Sequence, residues 1–99
     1  MRLLSPEKII RIVEEHREEL LSYSVKKIGL FGSYLHKTHK RGSDIDFLVQ
    51  FHEPTYDNYI DLKFFLERLL HRKIDLVLEK SLKPQLSYVR REALYAKGV

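Results

Sequence analysis

The sequence predicts one α+β domain, helices layered on a small sheet, in the order α-β-(short α)-β-α-β-α. Three observations carry that prediction. The chain has 99 residues, room for one compact core and little else. Hydrophobic residues make up 43% and charged residues 32%, a composition that folds rather than stays disordered. The apolar residues switch repeatedly between helical spacing and short β-branched or aromatic runs, with no repeat, linker or low-complexity tract. Residues 1–99 are therefore expected to form a single domain.

Ser5-Pro6 is a helix start, with Ser free to cap and Pro tolerated at the first helical position. Ile9, Ile10, Val13, Leu20 and Leu21 share one face, so this helix is expected to run to about Leu21. Residues 25–31, Val-Lys-Lys-Ile-Gly-Leu-Phe, read as a first strand stopped by Gly32-Ser33. Residues 34–42 are polar and basic, a loop or one short helix. Asp44 to Phe51 reads as a second strand, rich in β-branched and aromatic residues. After a turn at Pro54-Thr55, Asp57 can cap a helix whose stripe is Leu62, Phe65, Leu66, Leu69 and Leu70. Lys73 to Leu78 is a short third strand. Lys83-Pro84 opens an expected final helix carrying Leu86, Val89, Ala93, Leu94 and Ala96, with Gly98 as its stop. The sheet is expected to have three strands.

Eighteen Lys plus Arg against fourteen Asp plus Glu leave a net charge of +4. That balance suits a polyanionic ligand such as a nucleoside triphosphate without demanding nucleic acid, which is not expected to be the main partner. The absence of Cys excludes a disulfide framework, a Cys-ligated zinc and a thiol nucleophile, and suits a reducing cytoplasm. Met1-Arg2-Leu3-Leu4 leads into charged sequence rather than an apolar stretch, and no run approaches a membrane span, so no membrane partner is expected. The five His (16, 36, 39, 52 and 71) lack a zinc-like spacing. Tyr88 and Tyr95 read as core or partner-facing residues, or as sites of self-modification.

The chemistry lies in the carboxylates. Asp44 and Asp46 stand at i and i+2 of the second strand and so point to one face, close enough to repel. A divalent cation relieves that repulsion, and Mg²⁺ takes oxygen ligands that it shares with phosphates. Asp75 interrupts the apolar third strand; if the two strands are neighbours, it faces the same place. Three carboxylates on neighbouring strands suit a two-metal phosphoryl-transfer centre. Gly32-Ser33, directly after the first strand, allows a ligand close to the main chain, and its free N–H groups and hydroxyl suit phosphate.

The spacing Gly32-Ser33-x10-Asp44-x-Asp46, with Ser43 just before the pair, resembles the signature of the DNA polymerase β-type nucleotidyltransferases. Within that superfamily the chain is most similar to the minimal nucleotidyltransferase (MNT) domains. The resemblance extends over residues 28–33, 43–49, 73–77 and 90–95 as well as the first helix. One departure is Tyr34-Leu35-His36-Lys37, where many members carry x-Ala-Arg-Gly.

The resemblance implies an αβαβαβα nucleotidyltransferase fold, a small mixed sheet flanked by helices. It also implies transfer of AMP from ATP with release of pyrophosphate. Gly32, Ser33 and Ser43 would bind the nucleotide; Asp44, Asp46 and Asp75 would be the catalytic residues and hold two Mg²⁺ ions. Larger relatives add a domain over their acceptor, and a chain of this length is expected to lack one, which points to a macromolecular acceptor. MNT domains pair with HEPN-domain ribonuclease toxins, so the resemblance implies an antitoxin that adenylylates a tyrosine of such a toxin. Two alternatives stand beside it: an antitoxin that neutralises by binding alone, and a transferase acting on a small molecule or RNA end.

Overall fold

Ser5 Oγ accepts the Lys8 N–H at 3.1 Å and Pro6 takes the first helical position, so α1 (Pro6–Glu15) starts where its capping residues dictate. The computed structural model describes residues 4–99; Met1 to Leu3, which begin the N-terminal stretch discussed above, lie outside the described residues. The helix expected to run unbroken to Leu21 is instead two. At His16 the imidazole Nδ1 bonds the Ile12 carbonyl at 2.8 Å, and the His16 N–H turns to the Val13 carbonyl at 3.0 Å. A side chain has taken the acceptor that continued helix needs, and α2 (Arg17–Ser22) restarts on a new phase. Leu20 is consequently buried, while Leu21 is 51% exposed.

The three expected strands form as β1 (Val25–Phe31), β2 (Ile45–Phe51) and β3 (Ile74–Leu78). Asp44 and Lys73, expected as the first residues of their strands, stand just outside them. Between β1 and β2 lies the short α3 (Gly32–His36); between β2 and β3 lies α4 (Tyr56–Leu70). The α4 cap is Thr55, whose Oγ1 accepts the Asn58 N–H at 3.1 Å, rather than Asp57, which sits inside the first turn. β1 and β2 pair antiparallel, whereas β2 and β3 pair parallel through the crossover that α4 provides.

The expected last helix does not form. Two 3-10 turns (Glu79–Ser81 and Pro84–Leu86) lead to a four-residue α5 (Val89–Glu92) and then to β4 (Leu94–Tyr95), which pairs antiparallel with β1. The sheet therefore has four strands in the order β3-β2-β1-β4, and the chain's last element is a strand, not the final helix of αβαβαβα. Gly29 is the local reason. A Cβ there would stand 2.7 Å from Tyr95 Cδ1, so only glycine lets the tyrosine ring lie against β1. The Tyr95 hydroxyl donates to the Arg90 carbonyl at 2.8 Å and Lys27 Nζ sits 4.3 Å from the ring centroid, fixing the ring from both ends.

One sheet face, with Ile28, Leu30, Ile45, Phe47, Val49, Ile74 and Leu76, packs on Ile9, Val13, Leu62 and Leu66 of the helices. The other face carries Asp46, Leu48 and Gln50 by strand alternation, and Ala93 and Tyr95 lie against it at Gly29. Among the described residues no helix is long and apolar enough to cross a membrane.

Candidate active site

Asp46 is the second residue of β2, and strand pairing fixes its neighbours: Phe31 at the end of β1 on one side and Asp75 on β3 on the other. The parallel register thus brings two carboxyls from distant sequence side by side, where they hydrogen-bond. Such a bond needs a proton between the two groups. Partial burial, then the charge of Asp75, the bond to it and the charge of Asp44 push the Asp46 carboxyl up to about 6, from an ordinary 3.8. The Ser33 backbone N–H donates to the same carboxyl and opposes the rise.

Gly32 makes this contact geometrically allowed. Its φ is +76°, open to glycine at little cost, and a Cβ there would collide with Asp46 Oδ2. The Gly-Ser turn is therefore built around the carboxyl. Asp44, exposed and two residues earlier, contributes its charge without a place in the ladder. Ser43 acts within its own loop, where its Oγ accepts the Lys40 N–H at 2.9 Å and closes the turn before Asp44. Among the described residues no three His, Asp or Glu side chains are posed as a ready-made cage for an ion. The donor set nevertheless fits Mg²⁺, which keeps several ligands as water or substrate phosphate and needs only one or two carboxylates from the protein. Two touching carboxyls with a third anion nearby are short of positive charge, and a cation there would displace the shared proton.

Around the site, α3 holds Tyr34 buried with its ring stacked 3.9 Å from that of His39. Lys37, at the helix end, adopts the left-handed φ of +60°. His36 Nε2 lies 3.6 Å from Glu92 Oε1, so the C-terminal segment touches the helix that starts at Gly32. Nothing in the spacing announces Glu92, because the contact depends on the chain turning into β4 instead of continuing as a helix. Tyr95, bonded through its hydroxyl to Arg90, is a structural residue of that turn, and partial burial raises its pKa.

A family model described as a nucleotidyltransferase domain matches residues 9–97. The chain belongs to this nucleotidyltransferase family. The protein adenylyltransferase MntA of Thermococcus cleftensis is 41% identical over 98 residues, which covers 96% of this chain and 99% of that relative. A solved structure provisionally called a minimal nucleotidyltransferase matches with a TM-score of 0.68 at 34% identity, over 86% of this chain and 93% of the other. A crystal structure of a toxin-antitoxin with AMP-PNP matches with a TM-score of 0.65 at 27% identity, over 87% and 73% of the two chains. The mixed sheet and its helices are thus the minimal nucleotidyltransferase fold, its topology here closed by β4. Nucleotidyl transfer is the chemistry of this family.

Proposed function

We propose that the chain is a Mg²⁺-dependent protein adenylyltransferase that moves AMP from ATP to a tyrosine of a HEPN-domain toxin, and so acts as the antitoxin. The observation that carries this reading is the Asp46 carboxyl, set between the Gly32-Ser33 turn and Asp75 with Asp44 beside it. The full-length similarity to a protein adenylyltransferase and the likeness to a toxin-antitoxin structure holding AMP-PNP support the substrate and partner.

In this reading Asp44, Asp46 and Asp75 hold Mg²⁺, which when bound offsets the triphosphate charge and activates the acceptor hydroxyl. Gly32 admits the β- and γ-phosphates close to the main chain, and the Ser33 hydroxyl donates to them. The tyrosine oxygen attacks the α-phosphorus, a new P–O bond forms, and the bond to pyrophosphate breaks. Asp75, paired with Asp46 across the β2–β3 register, would lie nearest the attacking hydroxyl and take its proton. Positioning and charge neutralisation supply the acceleration, with no covalent enzyme intermediate.

The test mixes the protein, Mg²⁺ and α-labelled ATP with a HEPN-domain toxin from the same organism. Label should appear on the HEPN protein with a mass gain of one AMP per modified tyrosine, and Asp46→Asn should abolish it. Full neutralisation of the toxin by Asp46→Asn without AMP transfer would replace this reading with inhibition by binding. Absence of transfer by the wild type from any of the four nucleotides would refute catalysis.

A further inference from the structure

At the end of β2 far from Asp46 lies a cavity of about 320 Å³. Asp46, Leu48 and Gln50 alternate onto one face, and Gln50 lines the cavity; four strand residues at roughly 3.3 Å each put it about 13 Å from the carboxylates. Lys26 enters from the bulge in β1, where residues 25–27 shift register against β2, and Lys80 and Arg90 come from the C-terminal segment.

The charges in the wall are unequal in availability. Arg90 is anchored: its Nε lies 3.2 Å from Glu79 Oε1 and its Nη2 donates to the Glu79 carbonyl at 3.1 Å. Among the described residues Lys26 and Lys80 have no carboxylate within ion-pair distance, and both are exposed. Phe51 and Leu78 add apolar wall beside them. Two free ammonium groups, an apolar side and room for one or two side chains match a single carboxylate on a short aliphatic stem. A nucleic-acid backbone would call for a run of cations, and the Glu79 carboxylate in the wall opposes a polyanion.

We propose that this cavity is an acceptor subsite: Lys26 and Lys80 hold an Asp or Glu side chain of the protein being adenylylated, about 13 Å from its reacting hydroxyl. An extended chain covers that distance in about four residues, so the acceptor carries an acidic residue about four positions from the modified one. The proposal rests on the reading of a protein acceptor, and it assigns that acceptor a sequence requirement.

The test is binding, measured without ATP on the full ¹⁵N-labelled chain. The probes are two nonapeptides with Tyr at one position and Glu four residues before or after it, their Glu→Gln counterparts, and hexauridylate. At least one Glu peptide should give saturable amide shifts at Lys26, Gln50 and Lys80, with affinity at least fivefold above its Gln counterpart. The Lys26→Ala/Lys80→Ala variant, and separately Lys26→Gln/Lys80→Gln, should erase that fivefold difference while the rest of the spectrum stays unchanged. Equal response to Glu and Gln peptides, no response at these residues, or tighter binding of hexauridylate overturns the proposal. Because no transfer is read, failure here is distinct from failure of the labelled-ATP experiment.

Discussion

Replacing Asp46 by Asn should stabilise the protein near neutral pH while removing its activity. The Asp46 carboxyl titrates near 6 in the fold and near 3.8 when free, so the folded state holds its proton more tightly than the unfolded chain does. The resulting stabilisation is fully present below about pH 3.8 and is lost as the pH rises through 6. The difference amounts to about 3 kcal/mol at most, since each pH unit is worth about 1.4 kcal/mol. Solvent reaches part of this half-buried group, and screening reduces the effect to about 1–2 kcal/mol. An amide in its place is neutral throughout, can accept the Ser33 N–H and can donate to Asp75. Metal-free Asp46→Asn should therefore exceed the wild type by about 1–2 kcal/mol at pH 7.5, a Tm higher by about 5–12 °C for a domain this size. At pH 4 the gap should nearly close. Urea melts of both proteins in EDTA at pH 4, 5, 6 and 7.5 measure it. A variant no more stable than the wild type at pH 7.5, or a gap that shrinks as pH rises, would refute the picture of a carboxyl forced against its neighbours.

Mg²⁺ at millimolar concentration should raise the wild-type Tm at pH 7.5, have little effect at pH 4.5 where a proton already lies between the carboxyls, and have less effect on Asp46→Asn; thermal melts read all three. Gly32→Ala combines a φ of +76° with a Cβ driven into Asp46, and should cost about 2 kcal/mol or more in a denaturant titration and abolish AMP transfer. Lys37→Gly relieves a left-handed residue at the end of α3 and should gain about 0.5–1 kcal/mol in the same titration. Thr55→Ala removes the α4 cap and should lose about 1 kcal/mol without altering the labelled-ATP assay.

Strands and long helices were legible in the sequence wherever their signal was local. Alternation placed Ile45, Phe47 and Val49 on the core face of β2, and the stripe of Leu62, Leu66 and Leu70 placed α4. Two errors have the same origin. Leu86, Val89, Ala93 and Leu94 keep helical spacing, yet the backbone past α5 is claimed by the open edge of β1, a partner more than sixty residues away in sequence. Leu20 and Leu21 fit one helix, yet the His16 imidazole takes the carbonyl that the helix needs. Spacing records which residues are apolar; it does not record which side chain or strand edge competes for the backbone.

The site divides along the same line. Asp75 could be read because an Asp inside an apolar strand violates its pattern, and such a violation persists only where a partner compensates it. Asp44 and Asp46 could be read only as a pair, through their spacing of two residues. Gly32, however, serves a purpose that spacing alone does not disclose. The position must leave room for the Asp46 carboxyl and must turn the Ser33 N–H toward it. In the proposed reading, Asp46 would share its charge with a bound cation and would then need that N–H less. The Ser33 N–H that steadies the carboxyl in the free protein would then be available to a phosphate oxygen, so in that reading the two ligands would favour each other's binding.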